Sequence, residues 1–138
     1  MNLKNVEKQV KDFFKNADVI YSYTRAQALE DGALVDVSPL AQECGFKYPV
    51  ALTARVFGEV VVPPIETQTF QDDIGRLWDL LNMLRSAARK QGNRESETTF
   101  QVLVQNEPGK TETITLKASC GPGDHLEPVI TVMFPGED

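Results

Sequence analysis

The chain has 138 residues, of which 41% are hydrophobic and 25% charged, a size and composition typical of one soluble globular domain. Its net charge of −6 disfavours nonspecific nucleic-acid binding, because such binding depends on clustered lysine and arginine. No apolar run reaches the roughly 18 residues that a membrane helix needs, and the first residues lack the apolar core of a secretory signal. We therefore expect a cytoplasmic protein that contacts neither membranes nor nucleic acid directly, with Cys44 and Cys120 reduced.

The first segments of the chain predict short elements. Apolar residues recur every three or four positions over residues 3–14, which indicates an amphipathic helix. We treat residues 1–16 as a separate accessory helix within a single domain that spans residues 1–138. The β-branched and aromatic run at 19–23 favours a strand.

Capping residues predict two further helices. Thr24 can cap a helix that ends at Gly32, where glycine tolerates the left-handed conformation. After an extended piece at 34–37, Ser38 can cap a second helix, with Pro39 in its first turn. Residues 50–62 are ambiguous, since a cap at Thr53 favours a helix while the valines at 60–62 favour a strand.

The strongest pattern is that of a long amphipathic helix covering about residues 69–91. Its apolar positions follow a 3.6-residue period, and we expect Trp78 at the centre of the core. The predicted stripe consists of Phe70, Ile74, Leu77, Trp78, Leu81, Leu84 and Ala88.

The last third of the chain alternates between apolar and polar residues, which predicts an antiparallel β-meander. Strands are expected at 100–105, 113–118 and 129–134. Gly121-Pro122-Gly123 lacks the lysine and helix of a phosphate-binding loop, so we interpret it as a tight turn. The predicted fold class is α+β, with short elements at the N-terminus and the long helix packed on the C-terminal meander.

Two surfaces carry the candidate binding residues. The first combines aromatic, amide and guanidinium groups suited to stacking or peptide binding: Tyr21, Tyr23, Arg25 and Gln27. Its structural alternative has the tyrosines filling a sheet face and Arg25 paired with Glu30 or Asp31. The second surface is a polar loop with the only histidine of the chain: Asp124, His125 and Glu127.

The chemistry of these groups favours binding over catalysis. A catalytic cysteine needs a base and local positive charge, but the neighbours of Cys120 are acidic, and its place in the strand pattern predicts burial. One histidine cannot seed a zinc site, so we predict no catalytic site, no metal and no cofactor. The acidic residues after Lys117 could meet a basic partner or only keep the protein soluble: Asp124, Glu127, Glu137 and Asp138.

Two blocks of sequence resemble the signatures of an uncharacterised family, a domain of unknown function found in small bacterial, plasmid and phage proteins. The opening block contains YTRAQALEDG and LVDVS within residues 19–38, and the closing block contains KASCGPGD and EPVIT within residues 117–131. The resemblance spans residues 19–138. It implies no activity, substrate or cofactor, but it implies a mobile-element setting.

Three functional hypotheses follow. We favour a non-catalytic module that binds a protein partner, such as a modulator or inhibitor of host nucleic-acid or defence machinery. The alternatives are a small-ligand protein or enzyme that uses the 120–128 loop for acid–base chemistry, and a self-associating protein that forms a homodimer through an exposed strand or the first helix.

Overall fold

The computed structural model describes residues 24–65, 72–91 and 96–137, and the predicted helix at 3–14 and strand at 19–23 lie outside these ranges. The described elements alternate between short helices and strands before one long helix and three strands. In chain order they are α1 (Arg25–Asp31), β1 (Leu34–Asp36), α2 (Ser38–Glu43), β2 (Val50–Thr53), α3 (Ala54–Val56) continuing into a π-helix (Phe57–Val61), α4 (Asp73–Gln91), β3 (Glu97–Glu107), β4 (Lys110–Pro122) and β5 (Pro128–Met133). No helix within these ranges is long and apolar enough to cross a membrane.

The strands form one five-stranded mixed sheet in the order β1-β2-β5-β4-β3. Strands β3, β4 and β5 are the predicted antiparallel meander, and α4 packs on β3, which confirms the α+β fold class. The sheet extends further than predicted, because β2 pairs in parallel with β5 and β1 pairs with β2. The short N-terminal strands are therefore part of the same sheet as the C-terminal meander.

The predicted caps of α1 are confirmed. The Thr24 hydroxyl accepts a hydrogen bond from the Gln27 N–H at 3.1 Å, and the Gln27 side chain accepts one from the Thr24 N–H at 3.2 Å. Gly32 ends the helix with φ at 83°, in the left-handed region.

The prediction for Ser38 is wrong in one respect, since Val37 is the N-cap of α2. The Ser38 hydroxyl instead bridges Asp36 Oδ1 at 2.5 Å and the Val50 N–H at 3.0 Å, which fastens α2 to the sheet.

The ambiguous segment 50–62 is a strand followed by a helical turn. Thr53 caps α3, which is the helical alternative, and its hydroxyl accepts from the Val56 N–H at 3.2 Å. The strand preference of the valines does not decide their conformation, because Val60 and Val61 lie in the π-helix and are each only 1% exposed. Burial of these β-branched side chains in the core outweighs their intrinsic preference for a strand.

The apolar face of α4 is rotated relative to the predicted stripe. Leu77, Leu81 and Leu84 are buried as predicted. Trp78 is 39% exposed and Ile74 is 65% exposed, so the expectation of a core tryptophan is wrong. Leu80 is fully buried in their place, and the polar Arg76 is 6% exposed. The hydropathy pattern predicts the wrong buried face, because it places every arginine on the solvent-exposed side of a helix and Arg76 is buried.

The end of β4 also differs from the prediction. Gly121 and Pro122 belong to the strand, where they pair with Val129 and Pro128, so they do not form the turn. The turn follows at residues 123–127. Cys120, predicted to be buried, is exposed. The alternation of core-facing residues holds through Leu116 and Ala118, but the buried core ends there, and position 120 lies past it at the end of the sheet.

Candidate functional site: the junction of loop 123–127 with helix α1

Asp124 joins the two surfaces predicted from the sequence. Its Oδ1 accepts a hydrogen bond from the Arg25 N–H and its Oδ2 accepts one from the Ala26 N–H, both at 2.9 Å. These are N–H groups of the first turn of α1, which have no partner within a helix. Hydrogen bonds to the backbone N–H groups of Ala26 and Arg25 hold the pKa of the Asp124 carboxyl below its ordinary value of 3.8.

The Arg25 side chain extends this contact to β5. Its guanidinium donates to Thr131 Oγ1 at 2.6 Å and to the Ile130 carbonyl at 2.9 Å. The alternative of pairing with Glu30 or Asp31 is therefore not the arrangement adopted by this side chain. Burial lowers the pKa of Arg25, while the nearby carboxylates, including Asp124, act in the opposite direction. The backbone and side chain of one residue thus contact both the loop and the strand after it.

The loop itself is closed by short hydrogen bonds. The Gly123 N–H donates to the Glu127 carbonyl at 2.6 Å, and the Leu126 N–H donates to the Gly123 carbonyl at 3.0 Å. The Glu127 carboxylate accepts from the His125 N–H at 2.8 Å. A Cβ at position 123 would lie 2.0 Å from Glu127 Oε1, so a larger residue there would displace the Glu127 carboxylate from its present position. We refer to the contacts of Arg25 and Ala26 with this loop as the loop–helix junction.

The polar groups of the junction serve mainly as structural hydrogen-bond partners. Arg25, Asp124 and Glu127 come together as residues of one site, but each is engaged in hydrogen bonds that fix the backbone or the sheet. Gln27 is nearby, and its side chain completes the capping box of α1. Tyr21 and Tyr23 lie outside the described residues. Within residues 24–65, 72–91 and 96–137, no group of three histidine, cysteine or acidic side chains could hold a metal ion.

The tip of the loop carries the residue that the sequence analysis missed. Leu126 is 84% exposed and has φ at 67°, the only described residue other than glycine with a positive φ. His125 beside it is also exposed. The pattern gave no signal for Leu126, because leucine rarely adopts a left-handed conformation.

One acidic group of the C-terminal end has a structural role. Glu137 Oε2 accepts hydrogen bonds from the Thr53 hydroxyl at 2.9 Å and from the Phe134 N–H at 2.8 Å. It therefore fastens the chain after β5 to the end of β2. Neither a partner nor solubility is needed to account for this carboxylate.

In a comparison with protein families, the model of a family of unknown function, DUF6573, matches residues 10–138. The chain belongs to this family. The predicted resemblance to an uncharacterised domain is thereby confirmed, and the match begins inside the segment 1–16 that the sequence analysis set apart. Comparisons with curated proteins and with solved structures gave no match. In this DUF6573 chain, the loop–helix junction is the place where the opening and closing blocks of sequence meet.

We expect replacement of Asp124 with asparagine to destabilise the protein at neutral pH and to have little effect in acid. The pKa of Asp124 is lowered on folding, so its stabilisation is fully present above its ordinary value and is lost as the pH falls through the lower, folded value. Urea unfolding of both proteins at pH 7 and at the lowest pH at which both still fold measures this difference. An Asp79→Asn variant removes an exposed acid of α4 as a control. A loss of stability that is the same at both pH values would contradict the role assigned to the Asp124 carboxylate.

Proposed function

We propose that this DUF6573 protein is a non-catalytic module that binds a protein partner through the tip of loop 123–127. The observation that carries the proposal is the state of Leu126, a large apolar side chain that is 84% exposed on a left-handed backbone. Strained backbone conformations concentrate at functional sites, where the surrounding structure holds them.

Leu126 is unfavourable for the folded chain in two ways. A left-handed backbone costs an ordinary residue about 1–2 kcal/mol, and asparagine or glycine would avoid most of that cost. An exposed leucine also gains little from the hydrophobic effect until another surface covers it. Both features are consistent with an apolar side chain that a partner buries.

The loop–helix junction supports this role by holding the loop in one conformation. Asp124 fastens it to α1, and Gly123 and Glu127 close it by backbone hydrogen bonds. A loop that is ordered before binding loses less conformational entropy when a partner covers its tip. A rigid apolar anchor surrounded by polar groups is the usual arrangement of a binding hot spot.

The same hydrogen bonds weigh against the alternative of an enzyme. A general acid or base needs a proton position that is open to a substrate. Both oxygens of Asp124 accept backbone hydrogen bonds, and Glu127 accepts one from the His125 N–H. We therefore assign these carboxylates to the binding surface and to the loop, with no catalytic step.

The partner that fits this surface has an apolar pocket with basic groups at its rim. The pocket would receive Leu126, and the rim would face the carboxylates of Asp124 and Glu127. Within the mobile-element setting that the family resemblance implies, we propose a cytoplasmic host protein of the nucleic-acid or defence machinery. Such proteins commonly carry basic surfaces.

A Leu126→Gly variant separates binding from stability. We expect its thermal unfolding temperature to stay the same or rise by a few degrees, because glycine relieves the backbone strain. We expect its affinity for the partner to fall at least about tenfold, because the apolar anchor is lost. The partner is first captured from host extract at low salt with the wild-type protein, purified, and then titrated calorimetrically with both proteins.

An Ile65→Ala variant provides the control, since Ile65 is 81% exposed and lines a surface depression with Asn106 and Phe134, outside loop 123–127. It should bind the purified partner as the wild type does. Equal affinity of the Leu126→Gly variant would show that the loop tip is the wrong surface. If the wild-type protein captured no stoichiometric partner at low salt, the proposal of a binding module would itself be wrong.

A further inference from the structure

Strand β3 is a long strand at one edge of the described sheet. It has 11 residues, and among the described residues only β4, on one side, pairs with it. The opposite edge of the sheet is β1, which has three residues and ends at Asp36. Long open edges are uncommon in monomeric proteins unless charge, proline or a bulge protects them.

Residues 98–104 of β3 lack such protection. They contain neither a charged residue nor a proline, and the register shift of this strand comes only after Val104. Leu103 is 67% exposed on the face opposite α4. A regular, uncharged strand of this kind is complementary to another extended strand.

The hydrogen-bond pattern identifies which backbone groups face outwards. The Cys120 N–H donates to the Ser96 carbonyl at 2.7 Å, and Ser96 continues the register that pairs Glu97 with Ser119. Since hydrogen-bonded pairs alternate along an antiparallel ladder, the even-numbered residues of β3 bond to β4. The backbone N–H and C=O groups of Thr99, Gln101 and Leu103 therefore point to the open edge.

The midpoint of residues 98–104 is Gln101, which is one of these outward-facing residues. If two copies of β3 pair antiparallel about a two-fold axis at Gln101, Thr99 faces Leu103 and Phe100 faces Val102. Every hydrogen-bonded pair then joins two outward-facing residues, as an antiparallel ladder requires. No charged residue meets its own copy within this stretch, and the exposed Leu103 gains Thr99 of the other copy as a cross-strand neighbour.

We propose that this protein forms a homodimer in which two β3 strands pair antiparallel, with Gln101 on the two-fold axis, to give one ten-stranded sheet. A groove of about 490 Å³ runs beside the same edge, between α4 and β3, and is lined by Met83, Ala87 and Phe100 among others. The second copy would cover this groove. A copy of the chain fits the edge better than a charged partner does, because residues 98–104 offer no ionic group to match.

Disulfide trapping tests the register directly. Opposite residues of a hydrogen-bonded antiparallel pair have Cα atoms about 5.5 Å apart, within the range that a disulfide spans. We expect a Gln101→Cys variant, made in a Cys120→Ser background, to form a covalent dimer on mild oxidation. The matched control is Thr115→Cys in the same background, because Thr115 is the exposed neighbour of Gln101 on β4 and lies off the axis. It should remain mostly unlinked.

Sedimentation of the wild-type protein provides the second measurement. We expect about twice the monomer mass of 15.3 kDa at micromolar concentration. Because each copy carries a charge of −6, the dimer should become stronger as salt screens the repulsion. A Gln101→Pro variant loses the N–H on the axis but no bond to β4, so it should sediment as a folded monomer.

Four results would overturn the proposal. A wild-type protein that stays monomeric up to high micromolar concentration would directly contradict the homodimer. Equal trapping of the Gln101 and Thr115 cysteines would show random collision, and a dimer that survives Gln101→Pro would place the interface elsewhere. A monomer whose β3 edge instead binds the captured partner, with that binding lost in Gln101→Pro, would assign the edge to a different protein. The first three results leave the Leu126 measurement unaffected, whereas the fourth would place the partner's contact at the β3 edge and predicts unchanged affinity for Leu126→Gly.

Discussion

Replacing Arg76 with methionine should lower the free energy of unfolding by about 3 kcal/mol or more. Arg76 is 6% exposed, and its guanidinium donates to the Val60 carbonyl at 3.1 Å, the Gln105 carbonyl at 2.8 Å and Asn106 Oδ1 at 3.0 Å. It therefore joins α4 to the π-helix and to the end of β3. Methionine fills a similar volume but leaves these acceptors without their donor. Since a domain is stable by only about 5–15 kcal/mol in total, the expected loss is a large fraction of its free energy of unfolding.

Urea unfolding followed by circular dichroism measures this loss. The free energy of unfolding of an Arg76→Lys variant should lie between those of the wild type and Arg76→Met. A lysine ammonium group is compact and lacks the planar fork with which a guanidinium reaches several acceptors at once. The exposed Arg89 on the same helix gives the control, and Arg89→Met should change stability by less than about 0.5 kcal/mol. If Arg76→Met were as mild as the control, the three hydrogen bonds would not be holding these elements together.

Truncating Leu80 to alanine should cost about 3 kcal/mol, whereas truncating Trp78 should cost only about 1 kcal/mol. Leu80 is fully buried between α4 and the sheet, while Trp78 is 39% exposed. The cavity left at position 80 has no solvent to fill it. At position 78 part of the indole already contacts water.

The two variants together test the rotation of α4 about its axis. The hydropathy pattern alone predicts the opposite order, with the larger loss at the tryptophan. Thermal or urea unfolding of Leu80→Ala and Trp78→Ala under the same conditions decides between the two orientations. A larger loss for Trp78→Ala would show that α4 presents the face predicted from the sequence.

The two proposed surfaces, the loop tip and the β3 edge, depend on different structural features. The loop tip depends on the loop–helix junction, in which Arg25 and Asp124 contribute hydrogen bonds that hold Leu126 in place. The β3 edge depends on a regular stretch at residues 98–104 that has neither charge nor proline. Different variants test the two surfaces, Leu126→Gly for the loop tip and Gln101→Pro for the β3 edge. The measurements therefore distinguish a homodimer with two loop tips from a monomer with one.

The candidate site was found in part from the sequence. The sequence indicated one surface with Arg25 and Gln27 and a second with Asp124, His125 and Glu127, and the structure joins the two where the Arg25 N–H donates to Asp124. Their role was not predictable, since nothing in the spacing shows that Asp124 accepts hydrogen bonds from N–H groups 98 and 99 positions earlier. Cys120 illustrates the same limit, because alternation gives the face of a strand but not the place where its cover ends.

Local sequence by itself determined the features whose energetics are local. The cap at Thr24, the left-handed Gly32 and the three strands of the meander follow from side-chain hydrogen bonds, backbone sterics and alternation within a few residues. Tertiary structure alone decided the parallel pairing of β2 with β5, the burial of Arg76 and the exposure of Trp78. Each of these depends on contacts between distant segments, and a buried arginine becomes favourable only when acceptors from other elements surround it.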